Sequence, residues 1–397
     1  MAGALSGIRV IDFTRMLAGP FCTLMLQELG AEVVKVEFRE SGDAVRTIPP
    51  ITEGGEGYTF MVVNRGKKSI TLDLHSKDAV QIALDLISRS DILVENFAPG
   101  VMKRLGLGYD AAVKVNPRLI YTSMSGFGQD GPSAGRLAFD MVAQAMGGLM
   151  SLTGFPDSPP TKCGPSIADM GGGLYAAVAV LAALNHRNAT GEGQYIDISM
   201  QDCIWAMTAV EAAGAYFVDG RVPQRIGNEY QNIVPWNAYR ARDGFVIVCI
   251  VTVGHWQKFA SLIGRPDLVE SPDSLPLVSR VQNRNRLNSA VSDWIKDKSV
   301  DQVLKLMEKA ELPAAPVLDL AQVASDPQIA RREMVVEVDQ VLSGPVKMPG
   351  SVFKMSRTPG NPHSPSPFLG EHNAEVYSGL LGYSDEKIAE LMEKEVI

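Results

Sequence analysis

Cysteine is scarce in this sequence of 397 residues: Cys22, Cys163, Cys203 and Cys249 stand far apart, with no C-x-x-C pair. That spacing argues against a disulfide framework and points to buried free thiols in a reducing, cytoplasmic compartment. The few histidines (His75, His186, His255, His363, His372) form no H-x-x-x-H or His/Cys cluster, so no metal site is expected. Positive charge is also short, with 37 Lys and Arg against 45 Asp and Glu, a net charge of −8. This argues against broad binding to nucleic acid or an anionic membrane, while leaving local basic clusters open. The amino terminus lacks signal or transit character, and no apolar run of about 18 residues suggests a membrane span. Repeats and low-complexity tracts are absent. The remaining composition, 46% hydrophobic and 21% charged, is that of a globular protein. The length suggests two domains of the usual ~100–200 residues.

The chain begins as strand, loop, helix, strand: I-R-V-I-D-F, T-R-M-L-A-G-P-F, C-T-L-M-L-Q-E-L closed by Gly30, then E-V-V-K-V-E. This βαβ unit predicts a parallel sheet. The turn after the first strand is not G-x-G-x-x-G, so a pyrophosphate cradle for NAD is missing. Even so, a loop leaving a parallel strand lies at the carboxyl edge, where ligands bind. Arg65, Lys67 and Lys68 form a basic knot that reads either as a solvated turn or as a phosphate contact. Further strands at S-I-T-L-D-L, D-I-L-V-E-N-F and R-L-I-Y-T-S-M-S alternate with helices. A polar stretch at 218–232 reads as a linker into a smaller α+β unit. The expected organisation is a large Rossmann-like domain over 1–220, a small α+β domain with its linkers over 221–330, and a segment over 331–397 that returns to the large domain.

One stretch organises the rest. P-S-I-A-D-M-G-G-G-L-Y-A-A-V places Asp169 just before three glycines, ahead of a helix pattern running from about Leu174 to Asn188 and closed by Gly191. Glycine costs roughly 1 kcal/mol against alanine inside a helix, so three together need a reason. They can allow close approach of a ligand or another backbone, or present free N–H groups. A helix start also favours the charged form of Asp169, as a nucleophilic carboxylate requires. A plain N-cap Asp accounts for the position equally well.

Taken together, G-I-R-V-I-D-F-T…A-G-P, L-G-A-E-V-V-K-V-E, N-R-G-K-K-S-I-T-L-D-L, D-I-L-V-E-N-F-A-P-G, S-G-F-G-Q-D-G-P, the D-x-G-G-G helix start, T-G-E-G-Q, S-M-Q-D and L-G-E-H resemble the class III CoA-transferases over almost the full length. The resemblance implies that Asp169 attacks an acyl-CoA thioester and passes through an aspartyl anhydride and an aspartyl-CoA thioester. It implies CoA as substrate with no tightly bound cofactor, and an interlocked homodimer. It places CoA against Ala18, the segment Leu72, Asp73, Leu74 and His75, the pair Asn96 and Phe97, and Arg104. It puts the acyl group by Phe139, Asp140, Gly171 and Gly172, with the glycines leaving it room and nearby N–H groups meeting the oxyanion.

Three departures bear on specificity. Formyl-CoA transferases carry Gln at Leu17 and Arg at Phe38, and have a tetraglycine loop where this chain reads G-N-E-Y-Q-N-I-V-P-W. With Tyr230, Gln231, Asn232 and Trp236 there, a small acid other than oxalate is expected. The related α-methylacyl-CoA racemases need a histidine in a G-H-D segment, and here that segment is L-A-F-D. Phe139 cannot move a proton, so a two-base epimerisation lacks one base unless Asp140 supplies it. A racemase, or an acyl-CoA-binding protein without chemistry, is the alternative to a transferase.

Overall fold

Short β-branched runs form the centre of the protein. In the computed structural model, which describes residues 3–397, β1 (Arg9–Asp12), β2 (Glu32–Glu37), β3 (Lys68–Thr71), β4 (Ile92–Glu95), β5 (Ile120–Ser125) and β6 (Gln194–Ser199) make one six-stranded sheet. Its order is β3-β2-β1-β4-β5-β6 and every pair is parallel. Val10, Val33, Val34, Ile92, Leu93 and Ile120 are almost wholly buried, as strands covered by helices on both faces must be. The order reverses between β1 and β4. In such sheets the crevice outside the strand carboxyl ends at that point is the natural ligand site.

The chain divides into two compact units. The first comprises residues 1–149, 162–218 and 327–397; the second comprises 150–161 and 219–326. Residues 150–161 thus cluster with the second unit, although they lie inside the range the sequence assigns to the large domain. Within the first unit the carboxyl-terminal segment covers the edge strand β3. His372 Nδ1 accepts from Ser69 N at 3.2 Å, Asn373 Oδ1 from Thr71 N at 2.9 Å, and Tyr377 donates to Thr71 O at 2.5 Å. An exposed strand edge is open to unwanted pairing, and this tail closes it. The L-G-E-H signature is therefore explained at least in part by sheet closure. The second unit has its own core, in which Trp256, Phe259, Val246 and Val248 pack beneath the antiparallel sheet β7 (Trp236–Arg240), β8 (Phe245–Cys249) and β9 (Ala314–Pro316).

The helix carrying Asp169 begins earlier than the sequence pattern suggests. It spans Ile167–Thr190 with Ser166 at its N-cap, so Asp169 lies in its first turn and Gly171, Gly172 and Gly173 lie inside it. All three glycines are buried. A Cβ on Gly173 would meet the carbonyl oxygen of Ala18 at 2.7 Å and the amide nitrogen of Cys22 at 3.2 Å. One on Gly171 would meet Met207 at 2.7 Å. Gly173 therefore lets this helix lie against helix Ala18–Glu28 at backbone distance, while Gly171 makes room for Met207. At 24 residues the helix is also long and apolar enough to cross a bilayer, which the sequence reading missed; its buried face is instead spent on this packing. Gly173→Ala is expected to lower the urea midpoint. Overpacking costs typically 1–3 kcal/mol, while the helix gains only about 1 kcal/mol from alanine.

Candidate active site

A cavity of about 480 Å³ opens where the sheet order reverses, within the first unit. The loop after β1 lines it with Arg15, Met16, Leu17 and Ala18, and the loop after β4 with Asn96, Phe97, Ala98 and Pro99. The end of β5 adds Met124, Ser125 and Gly126, and Arg136 to Phe139 form a further wall. Ser166 and Asp169 face in from the long helix.

The loop after β1 is held from beneath by buried charge. Asp12 accepts from Thr14 N at 2.9 Å, Thr23 Oγ1 at 2.6 Å and Lys67 Nζ at 3.1 Å. Lys67 also donates to the carbonyl of Pro20 at 3.1 Å, and Lys35 to that of Thr14 at 2.7 Å, so both ends of the loop are tied. Asp43 pairs with Lys35 at 3.0 Å and accepts from Met16 N at 3.1 Å. That bond steadies Met16 in the left-handed region, at φ 65°. Burial alone would raise the pKa of Asp12, but Lys67 and Lys35 beside it bring it down to about 2. The basic knot seen in the sequence is thus neither solvated nor free for phosphate. Lys67 serves this network, Arg65 pairs with buried Glu28, and Lys68 bonds Glu32 and Glu375.

Asp169 is partly buried, and its carboxyl is raised to about 7, first by burial and then by the charge of Asp140. The sequence reading has the helix start favouring the charged form; here the opposite holds. Burial is the larger reason, and Asp140, which occupies the open end of the helix, is the second. Its Oδ1 accepts from Ala168 N at 2.8 Å and, more weakly, from Asp169 N at 3.4 Å. Its Oδ2 accepts from buried Gln144 at 2.7 Å, whose own oxygen accepts from Cys163 N at 2.9 Å. Asp140 is a cap brought from another segment rather than a group facing the cavity. The amides of Ile167 and Met170 are also taken, by the carbonyls of Pro165 and Ser166. Ala18 and Gly19, at the start of helix Ala18–Glu28, show no partner for their amides among the described residues.

Of the residues singled out in the sequence, Ala18, Asn96, Phe97, Phe139 and Asp169 meet in this cavity. The side-chain amide of Asn96 is spent on the neighbouring loop, bonding the N and O of Arg15 at 2.8 Å each. Gly171 and Gly172 do not line the cavity, and the room expected of them is filled by Met207 and Met200. Leu72 is core, 1% exposed, so its side chain reaches no ligand. Asp73, Leu74 and exposed His75 lie outside the lining, as does exposed Arg104 on helix Val101–Arg104. Tyr230, Gln231, Asn232 and Trp236 belong to the second unit, where Arg284 bonds the carbonyls of Tyr230 and Gln231. Sequence reasoning missed Arg15 and Arg136. Their signal was a single arginine in each of two loops that end at the carboxyl edge.

A model of the family described as CoA-transferase family III matches residues 5–373. The chain is 40% identical to the succinyl-CoA:mesaconate CoA-transferase of Haloarcula hispanica, covering 94% of this chain and 96% of that one. It is 36% identical to the formyl-CoA:oxalate CoA-transferase of Streptomyces avermitilis over the whole of both. The crystal structure of a CAIB/BAIF family protein from Brucella suis superposes with a TM-score of 0.84 at 35% identity, over 96% of this chain and 100% of that one.

The raised carboxyl of Asp169 has a consequence for stability. Between its ordinary value near 3.8 and about 7, the folded chain holds a proton that the unfolded chain has lost. Stability therefore falls as pH rises through that interval. Asp169→Asn is expected to leave the thermal midpoint unchanged near pH 4 and to raise it above pH 7, by about 2–4 kcal/mol in unfolding free energy. An equal effect at both pH values would contradict the assignment.

Proposed function

The chain belongs to CoA-transferase family III, and from that premise we propose that it moves CoA from an acyl-CoA donor to a small carboxylic acid through Asp169. The observation carrying this reading is the position of Asp169: the one carboxylate among the residues lining the cavity at the sheet's switch point, where the other charged residues are Arg15 and Arg136. An Asp169 oxygen attacks the thioester carbonyl, the C–S bond breaks, and CoA leaves as thiolate. The thiolate then attacks the aspartyl carbonyl of the mixed anhydride, releasing the donor acid and leaving an aspartyl-CoA thioester. The acceptor carboxylate attacks that thioester and expels the thiolate again. The thiolate finally takes the acyl group from the new anhydride, which frees Asp169. The partnerless amide of Ala18, which lines the cavity, is the candidate donor to the developing oxyanions, since those of Gly171 to Gly173 belong to the helical ladder.

Nucleophilic attack needs the carboxylate, so the first half-reaction should quicken as pH rises through about 7 and level off above it. Asp140→Asn, which keeps a capping oxygen but removes the charge, should move that profile to lower pH. An unmoved profile would assign the raised value to burial alone.

Phe139 lines the cavity where a second base would stand, which favours transfer over epimerisation. The acids are placed by analogy: mesaconate and oxalate, named for the relatives, are both dicarboxylic, and succinyl-CoA is the donor to try first. A second copy of the chain, interlocked with the first, is proposed as partner. Val178, Val210 and Phe217 leave large apolar side chains in water on helices Ile167–Thr190 and Met200–Asp219, which a partner would cover.

A panel of acyl-CoA donors against carboxylic acids, read by mass spectrometry, tests the reaction. Exchange that is abolished in Asp169→Asn is expected. Rapid α-deuteration of a 2-methylacyl-CoA in heavy water, without exchange of acids, would replace the transferase by a racemase. Sizing at micromolar concentration should give the mass of two chains, and a stable monomer would remove the dimer.

A further inference from the structure

We propose that Arg136 determines specificity for the acid substrate. It receives the carboxylate that is not activated, and so selects dicarboxylic over monocarboxylic acids of equal length. The proposal rests on the transferase reading and assigns a residue to the acid end of that site.

Three charged side chains line the cavity: Asp169, Arg15 and Arg136. Asp169 is the lone anion and is occupied by the chemistry. The guanidinium of Arg15 lies 4.8 Å from the ring centroid of Phe97, and that of Arg136 lies 5.5 Å from that of Phe127. Neither guanidinium has a hydrogen-bond or ion-pair partner among the described residues. An arginine laid on a ring is pre-oriented while its N–H fork stays open for a planar anion. Arg46, which also lies on a ring, that of Phe60 at 3.7 Å, is by contrast paired with Glu37 at 2.7 Å. Arg15 and Arg136 are exposed and line one cavity, so their forks are free to meet anions that arrive with the substrates.

The two are distinguished by what holds them. Arg15 is tied through its backbone to Asn96 and stacks on Phe97, the pair that the CoA chain is expected to follow. Arg136 starts the segment that runs through Leu137 and Phe139 to Asp140, the cap on the helix of Asp169. It therefore shares its wall with the acyl end of the site. Leu137, Phe139, Met124 and Ile48 give that wall an apolar stretch suited to a short carbon chain. A dicarboxylate fits one end to Asp169 and the other to Arg136, bidentate to the fork. A monocarboxylate would lay a methyl group against a charged fork.

The test uses the full-length enzyme, succinyl-CoA as donor, and matched acceptors: isotope-labelled succinate against butyrate, and glutarate against pentanoate. In a double-displacement reaction the kcat/KM of an acceptor depends only on the half-reaction it enters, so the ratio within a pair isolates the acid. The parent enzyme should favour the dicarboxylate. Arg136→Met should lower that ratio about 10- to 30-fold, chiefly by slowing the dicarboxylate, as expected for charge-assisted hydrogen bonds in a half-open cavity. Arg136→Lys should restore part of the ratio, and Arg136→Gln gives the same reading should the methionine variant not fold. An unchanged ratio, or an equal loss for both acids, overturns the assignment, the latter by placing Arg136 on the CoA chain. A parent enzyme that transfers CoA without preferring dicarboxylates also overturns it while leaving the transferase standing. A parent that transfers CoA to no acid overturns both.

Discussion

Two carboxylates meet at one helix end, and the site depends on how they share it. Asp140 takes the open amides of helix Ile167–Thr190, and Asp169, in its first turn, is left without them. A helix terminus would ordinarily stabilise its own first-turn acid. Here that stabilisation goes to the neighbour, whose charge adds to burial in holding Asp169 near neutrality. A weakly acidic carboxylate is also a more basic one, which suits the attack on a thioester proposed for Asp169.

Around that helix the rest of the first unit acts as a frame. Buried Gly173 lets helix Ile167–Thr190 lie on helix Ala18–Glu28, so the start of the second helix borders the same cavity as Asp169. The loop feeding helix Ala18–Glu28 is tied at both ends by the buried lysines Lys35 and Lys67. Such charges are costly to bury and remain only when fully paired. Their partners, Asp12 and Asp43, complete a polar floor under a cavity that is mostly apolar. The sheet order supplies the place, Gly173 the approach, and the buried ions the loop shape.

Much of this was legible in the sequence. Strands of β-branched residues separated by helices gave the parallel sheet, and Asp169 stood out because glycines inside a helix need a cause. Several readings failed where local pattern meets tertiary packing. The helix start was placed late because the glycines looked like a break, when the lack of a side chain at Gly173 is what the partner helix requires. The ionisation of Asp169 escapes the local pattern because it is set first by burial and then by Asp140, 29 positions away, which occupies the amides. Arg65 and Lys67 read as a solvated turn or a phosphate contact because their acidic partners, Glu28 and Asp12, lie in other elements. Leu72 is tied to the ligand only by its position along the chain, whereas its side chain packs into the core. Arg15 and Arg136 went unremarked, since one arginine in a loop carries no periodic signal.

The central claim is that Asp169 takes the acyl group from sulfur. Incubating the enzyme with acyl-CoA, quenching with hydroxylamine and mapping the modified peptide by mass spectrometry tests it directly. The account predicts a hydroxamate on Asp169 that forms only with acyl-CoA present. Turnover with Asp169 unmodified, or with the label on another residue, would contradict it.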